Sequence, residues 1–113
     1  MKIRSVMIAL ALTSAAAAGR ASAQAADGKA LYDENCKKCH GAVGRPPKTM
    51  KEKFPKIATF DAAFIAARSD DSVVKVLTKG KNEDMVSFKD KMKAAEMMAV
   101  AKYVRELGSK SHP

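Results

Sequence analysis

The run Cys36-Lys37-Lys38-Cys39-His40 contains both cysteines of the chain and one of its two histidines. The chemistry open to such a run is covalent attachment and metal ligation. Two thiols three positions apart can each form a thioether to one of two neighbouring vinyl groups of a single porphyrin. The histidine that follows then directs its imidazole at the iron. No third cysteine competes for the pair. Two other uses of the thiols fit less well. A redox disulfide of the thioredoxin kind needs alternating strands and helices around it, and no segment here has a strand period. A zinc site needs four ligands. Cys36, Cys39, His40 and His112 make four, but His112 stands one residue from the end with no spacing logic.

The segments flanking this run read as helices and loops. Asp27 is a good N-cap, and Gly28, Leu31, Tyr32 and Asn35 fall on one helical face leading into Cys36. Gly41, Gly44, Pro46 and Pro47 then break regular structure. Lys48 to Phe60 reads as loop with one helical turn, interrupted by Pro55. Asp61 caps a short helix through Phe64, Ile65 and Arg68. Asp70 or Asp71 starts another through Val73, Val74 and Leu77, ended by Gly80 as a C′ residue. Residues 81–92 form a polar connecting loop that holds Met85 and Phe88. A last helix runs from about Ala94 to Leu107 and ends at Gly108, with Met97, Val100, Ala101 and Val104 facing inward. The expected fold is all-α, four to five short helices wrapped around one large ligand.

Length and composition agree with such a ligand. Residues 1–23 read as a secretory signal peptide, with Lys2 and Arg4 before the apolar stretch Val6–Ala18 and small residues at Ala21-Ser22-Ala23. That stretch is short of the roughly 20 residues needed to span a bilayer, so cleavage after Ala23 and no stable membrane insertion are expected. Residues 24–113 form one domain, and a domain of this size buries only roughly 60–65% of its unfolded surface. It has two tyrosines, four phenylalanines and no tryptophan to build a core, so a covalent haem at the centre would complete it. The mature chain carries 18 basic and 12 acidic residues, a net charge of +6. Export and the lack of an aromatic-basic stacking pattern argue against nucleic acid as partner. Acidic patches on redox proteins suit this charge better.

The order of these features resembles a class I cytochrome c, the small exported monohaem electron carriers, over essentially all of the mature chain. Gly28 and Tyr32 precede the Cys36-Lys37-Lys38-Cys39-His40-Gly41 run. The Gly/Pro loop through Pro46 and Pro47 follows, then Gly80 and Met85-Val86-Ser87-Phe88, then a C-terminal helix with Tyr103. The resemblance implies N- and C-terminal helices crossing near right angles, with Gly28 against Tyr103. Two positions depart from the pattern: Val86 follows Met85 where that family usually has proline, and Lys93-Ala94 stands where a Ser or Thr cap often opens the last helix.

The resemblance also implies site roles. Cys36 and Cys39 would be the thioether anchors of one haem c, and His40 the proximal iron ligand. A backbone carbonyl of Pro46 or Pro47 would accept from the other ring nitrogen of His40. Among the mature methionines, Met50 lies too close to His40 in sequence to cross to the other haem face. Met97 and Met98 sit within a helix, where packing is the default, and Met92 is close to it. Met85, in a loop 45 residues from His40, is the expected sixth ligand, with Met92 as runner-up. His112 would give a bis-His iron but lies in a frayed tail. Tyr32, Phe54, Phe64 and Phe88 are expected to pack in the core or on the haem.

His/Met ligation leaves no open iron position, so the expected function is a monomeric periplasmic electron carrier, not an enzyme. The lysines flanking both ligands would steer it to acidic redox partners. The alternatives are a haem subunit of a larger dehydrogenase, and a sensor or peroxidase with an open sixth site.

Overall fold

The computed structural model describes residues 26–111. The signal-peptide reading of residues 1–23 and the position of His112 lie outside the described residues. Within them the chain forms six helices and no strand: α1 Gly28–Asn35, α2 Lys37–His40, α3 Lys48–Lys53, α4 Ala62–Ala67, α5 Asp70–Lys79 and α6 Ala94–Lys110. Helix α6 is the spine, packed on α1, α4 and α5. Its inward positions, Met97, Val100, Ala101 and Val104, are all buried, as their spacing on one face predicts.

Local chemistry sets the helix starts. The Asp27 carboxylate accepts from the Ala30 amide at 3.1 Å, and the Asp61 carboxylate from Phe64 at 2.9 Å. Helix α5 starts at Asp70, one of the two starts its acidic pair suggests. The Ser69 hydroxyl is the cap, accepting from the Ser72 amide at 3.1 Å. Asp70 and Asp71 occupy the first turn, where negative charge is favoured by the helix dipole. The start of α6 lacks a Ser or Thr but is closed from the other side: the Lys93 amide donates to the Glu96 carboxylate at 2.9 Å. The Lys48–Phe60 stretch holds a helix of one and a half turns, opened by Pro47, whose carbonyl accepts from Met50 and Lys51.

The C-terminal boundary corrects the sequence reading. Gly108 does not end α6, which continues to Lys110. Gly108 is buried, and a Cβ there would lie 2.5 Å from Ile65 Cγ2 and 3.0 Å from the Asp61 carbonyl. The glycine gives room for α4 to cross, so it serves packing and not a turn. Arg105 fixes the same corner. Its guanidinium donates to the Asp70 carboxylate at 2.7 Å and to the carbonyls of Arg68 at 2.7 Å and Ile65 at 3.3 Å.

The crossing of α1 and α6 depends on Gly28. A Cβ at that position would run into the Ala99 carbonyl and come within 3.2 Å of Tyr103 Cβ. With the backbones this close, Tyr103 meets Tyr32 edge-on at 5.2 Å. Tyr32 is fully buried, and its hydroxyl donates to the Gly41 carbonyl at 2.7 Å. One side chain of α1 thus ties the residue after His40 to the α1–α6 crossing. Burial raises the Tyr32 phenol well above its ordinary pKa.

Two outcomes are expected. Gly28→Ala lowers the stability of the haem-loaded protein by roughly 1–3 kcal/mol through overpacking, whereas Ala30→Ser, exposed on the same helix, stays within about 0.5 kcal/mol. Urea unfolding midpoints check both. Tyr32→Phe leaves the buried Gly41 carbonyl with only the longer 3.3 Å bond from the Gly44 amide and costs about 0.5–1.5 kcal/mol at pH 7. Above about pH 10 the unfolded chain loses the phenolic proton while the folded chain keeps it, so wild-type stability falls. The phenylalanine variant has no such term, so the gap between the two narrows as pH rises.

Candidate functional site

The Cys36–His40 run occupies one turn of helix. The Cys36 amide donates to the Tyr32 carbonyl at 2.8 Å, and the Cys36 carbonyl accepts from Cys39 at 3.2 Å and His40 at 2.9 Å. This turn puts both thiols and the imidazole on the wall of one cavity. Neither cysteine is in a disulfide. Burial, with Cys39 close by, pushes the Cys36 thiol up to about 11. A buried protonated thiol is a poor redox nucleophile, which counts against thioredoxin-type chemistry. Among the described residues no three His, Cys, Asp or Glu side chains gather to hold a bare metal ion.

His40 is buried and held from two sides by one strap of chain. Its Nδ1 lies 3.1 Å from the Ala58 carbonyl. A carbonyl only accepts, so Nδ1 carries the proton and Nε2 of the neutral ring keeps its lone pair for a metal. Burial lowers the His40 pKa, opposed by the Ala58 carbonyl, which favours that neutral ring. Two residues on, Phe60 stacks on the imidazole with centroids 4.6 Å apart and planes 20° from parallel. Phe60 is itself packed edge-on by Phe64 at 5.0 Å and Tyr32 at 6.2 Å.

The acceptor is therefore Ala58, not Pro46 or Pro47. The Pro47 carbonyl is engaged by the first turn of α3. The strap 54–60 returns instead, turning at Phe54–Ile57 and closing with the Phe60 amide on the Gly44 carbonyl at 2.8 Å. Gly44 makes this return possible. Its φ is +80°, and a Cβ would stand 2.9 Å from Phe60 Cβ.

The cavity has a volume of about 780 Å³, within the roughly 300–1,000 Å³ of sites for large organic ligands. Leu77, Phe88, Val100 and Val104 supply apolar wall, and Lys53, Lys56, Arg68 and Lys81 supply cationic wall. An apolar macrocycle with two carboxylate arms fits that division. Met85 is the only methionine in the wall among the described residues. Met92 and Met97 are buried in the core, and Met50, on α3, is not part of the wall. The loop bearing Met85 is anchored to α5. The Ser87 hydroxyl donates to the Thr78 carbonyl at 2.6 Å, and the Phe88 amide to the Leu77 carbonyl at 2.8 Å. The structure thus brings Cys36, Cys39, His40 and Met85 to one cavity. Of the aromatics expected at the site, Phe54, Phe64 and Phe88 line the same cavity, and Tyr32 supports it from the core.

Sequence reasoning missed Ala58 and Phe60. A backbone carbonyl has no side-chain signature. Phe60 ends an unpatterned stretch, and only its place just before the Asp61 cap hinted at order.

Comparison with known proteins places this architecture. Residues 23–104 match the family model described as cytochrome c oxidase, cbb3-type, subunit III. A curated relative, the cbb3-type cytochrome c oxidase subunit CcoP of Azospirillum brasilense, is 30% identical over 89 residues, which is 77% of this chain. The chain spans only 30% of that relative's length. Among solved structures it is similar to the KustC0563 c-type cytochrome, with a TM-score of 0.64, 33% identity, and coverage of 72% of this chain and 96% of that one. A variant of the same cytochrome matches with a TM-score of 0.63 at 32% identity, covering 72% of this chain and 98% of that one. The chain belongs to this cytochrome c family, with the all-α cytochrome c fold, covalent haem c as its cofactor and electron transfer through that haem as its function.

Proposed function

We propose that the mature chain is a one-electron carrier in which Cys36 and Cys39 anchor haem c through thioethers while His40 and Met85 are the axial ligands. The observation that carries this reading is the convergence of both thiols, the His40 ring and a single methionine on one cavity. When bound, the haem supplies reversible one-electron chemistry at iron, and methionine ligation favours the reduced state. The chain's own residues do the rest. Ala58 holds the Nδ1 proton, so the basicity and orientation of His40 are fixed before and after electron exchange. Phe60 and its aromatic neighbours keep the ring from turning. The apolar wall excludes water and limits the change in solvation on gaining or losing charge. Met85 would hold the iron together with His40 and leave oxygen and peroxide no site, which suits a carrier and not an enzyme.

The setting follows from the same reading. Export with cleavage after Ala23 would place the carrier in the periplasm as a monomer. The family match beginning at residue 23 supports that boundary. No helix of the described residues is long and apolar enough to cross a membrane. Lys37, Lys38, Lys79, Lys81 and Lys89 are all exposed, and Lys53, Lys56 and Lys81 lie on the cavity wall. These charges suit redox partners with acidic docking surfaces. A second reading, a haem subunit of a larger complex, is favoured by the oxidase subunit among its relatives. Size-exclusion of the native protein separates the two: a free carrier elutes at its monomer mass.

The ligation is tested by visible spectra of oxidised and reduced protein beside Met85→Ala. The wild type shows a low-spin spectrum with a weak long-wavelength sulfur–iron band and no carbon monoxide binding. The variant loses the band and binds carbon monoxide. A high-spin wild type that binds carbon monoxide points instead to an open-site sensor or peroxidase. The docking charge is tested by ionic strength. Electron exchange with an acidic partner slows by about tenfold or more between roughly 10 and 150 mM salt, as the screening length shrinks from about 30 to 8 Å. A salt-independent rate contradicts steering.

A further inference from the structure

Val86 follows Met85, so no proline ring fixes the chain just after the ligand. Val86 is also 45% exposed and gives the backbone little packing hold. Yet the Met85 backbone is tied on both sides. Its carbonyl accepts from the Lys81 amide at 2.8 Å and from the Asn82 amide at 3.3 Å. Its amide donates to the Asn82 side-chain oxygen at 2.8 Å, and the Asp84 amide donates to the same oxygen at 3.0 Å. Both backbone polar groups of Met85 are thus engaged with the two residues after Gly80. Among the described residues Asn82 is the one side chain bonded to the Met85 backbone, and it lies on the cavity wall beside it. The Asx-type turn it makes is one that Asn and Asp form and alanine cannot.

We propose that Asn82 is the positioning residue for Met85: its carboxamide oxygen, by accepting the Met85 amide, pre-forms the loop that presents the thioether to the cavity. The inference rests on the His40/Met85 reading above. A methionine side chain has three rotatable bonds and many rotamers. Its sulfur reaches a fixed point reproducibly only if its own backbone is already in place. The Asn82 turn does for this chain what a proline after the ligand would do, by a hydrogen bond and not by a ring. Its loss does not remove the ligand. It leaves Met85 to pay its ordering entropy on binding, so an external ligand displaces it more readily.

The test is imidazole titration of the oxidised haem-loaded protein at fixed pH, following the shift of the main haem absorption band in every variant and loss of the sulfur–iron band where it is present. Wild type, Asn82→Ala, Asn82→Asp and Met85→Ala are compared. Asn82→Ala raises imidazole affinity about three- to tenfold, the value of one lost hydrogen bond. Asn82→Asp keeps an acceptor oxygen at the same place and stays within about twofold of wild type. An alanine variant equal to wild type overturns the proposal, and so does an aspartate variant that binds imidazole as tightly as the alanine variant. If Met85→Ala binds imidazole no better than wild type, the ligand assignment itself fails and the positioning role falls with it. Retention of the band in wild type with no effect of Asn82→Ala sinks the positioning role alone.

Discussion

The hydrogen bond between His40 Nδ1 and the Ala58 carbonyl is the constraint around which the site is arranged. It chooses the tautomer, and the tautomer leaves Nε2 with its lone pair on a ring that lines the cavity. The bond in turn needs the strap 54–60 to return alongside the Cys36–His40 turn. That return needs Gly44 at positive φ and Phe60 paired to its carbonyl. Tyr32 locks the other end of the same turn through Gly41, and it does so from the α1–α6 crossing. The helix packing and the ligand geometry are therefore one structure, read from two ends.

The two halves of the site are built differently. On the His40 side, aromatic rings and a carbonyl hold the imidazole within buried structure, where a misplaced group has no water to compensate it. On the Met85 side, the proposed ligand sits in a largely exposed loop whose order comes from its own hydrogen bonds and from two ties to α5. Loops fixed by local bonds open at lower cost than packed cores. In the proposed carrier this asymmetry would pair one ligand held by packed structure with one held by local bonds.

Much of this was legible in the residues. Cys36, Cys39 and His40 declare themselves because their types and spacing have few other uses. Asp27, Asp61 and Gly80 mark element ends through chemistry that acts within one turn. Met85 could be separated from Met92 and Met97 because periodic positions pack and loop positions need not. What was illegible depended on distant chain. Gly108 reads as a helix stop until Ile65 is seen against it. Ala58 and Phe60 act on a residue some 20 positions earlier, the first through a carbonyl that every residue has. Ser69 was overshadowed as a cap by the two acids after it. Asn82 is a residue type that forms Asx turns, but its bond to the Met85 amide, on which its proposed role rests, appears only in the folded loop.

The central claim is that a sulfur of this chain, that of Met85, completes an iron site begun by His40. X-ray absorption at the iron edge of the haem-loaded protein tests it most directly. The account predicts one sulfur in the iron's first shell in the wild type and none in Met85→Ala, with the nitrogen shell otherwise kept. A wild-type shell of nitrogen and oxygen alone, or a sulfur that persists in Met85→Ala, would contradict it.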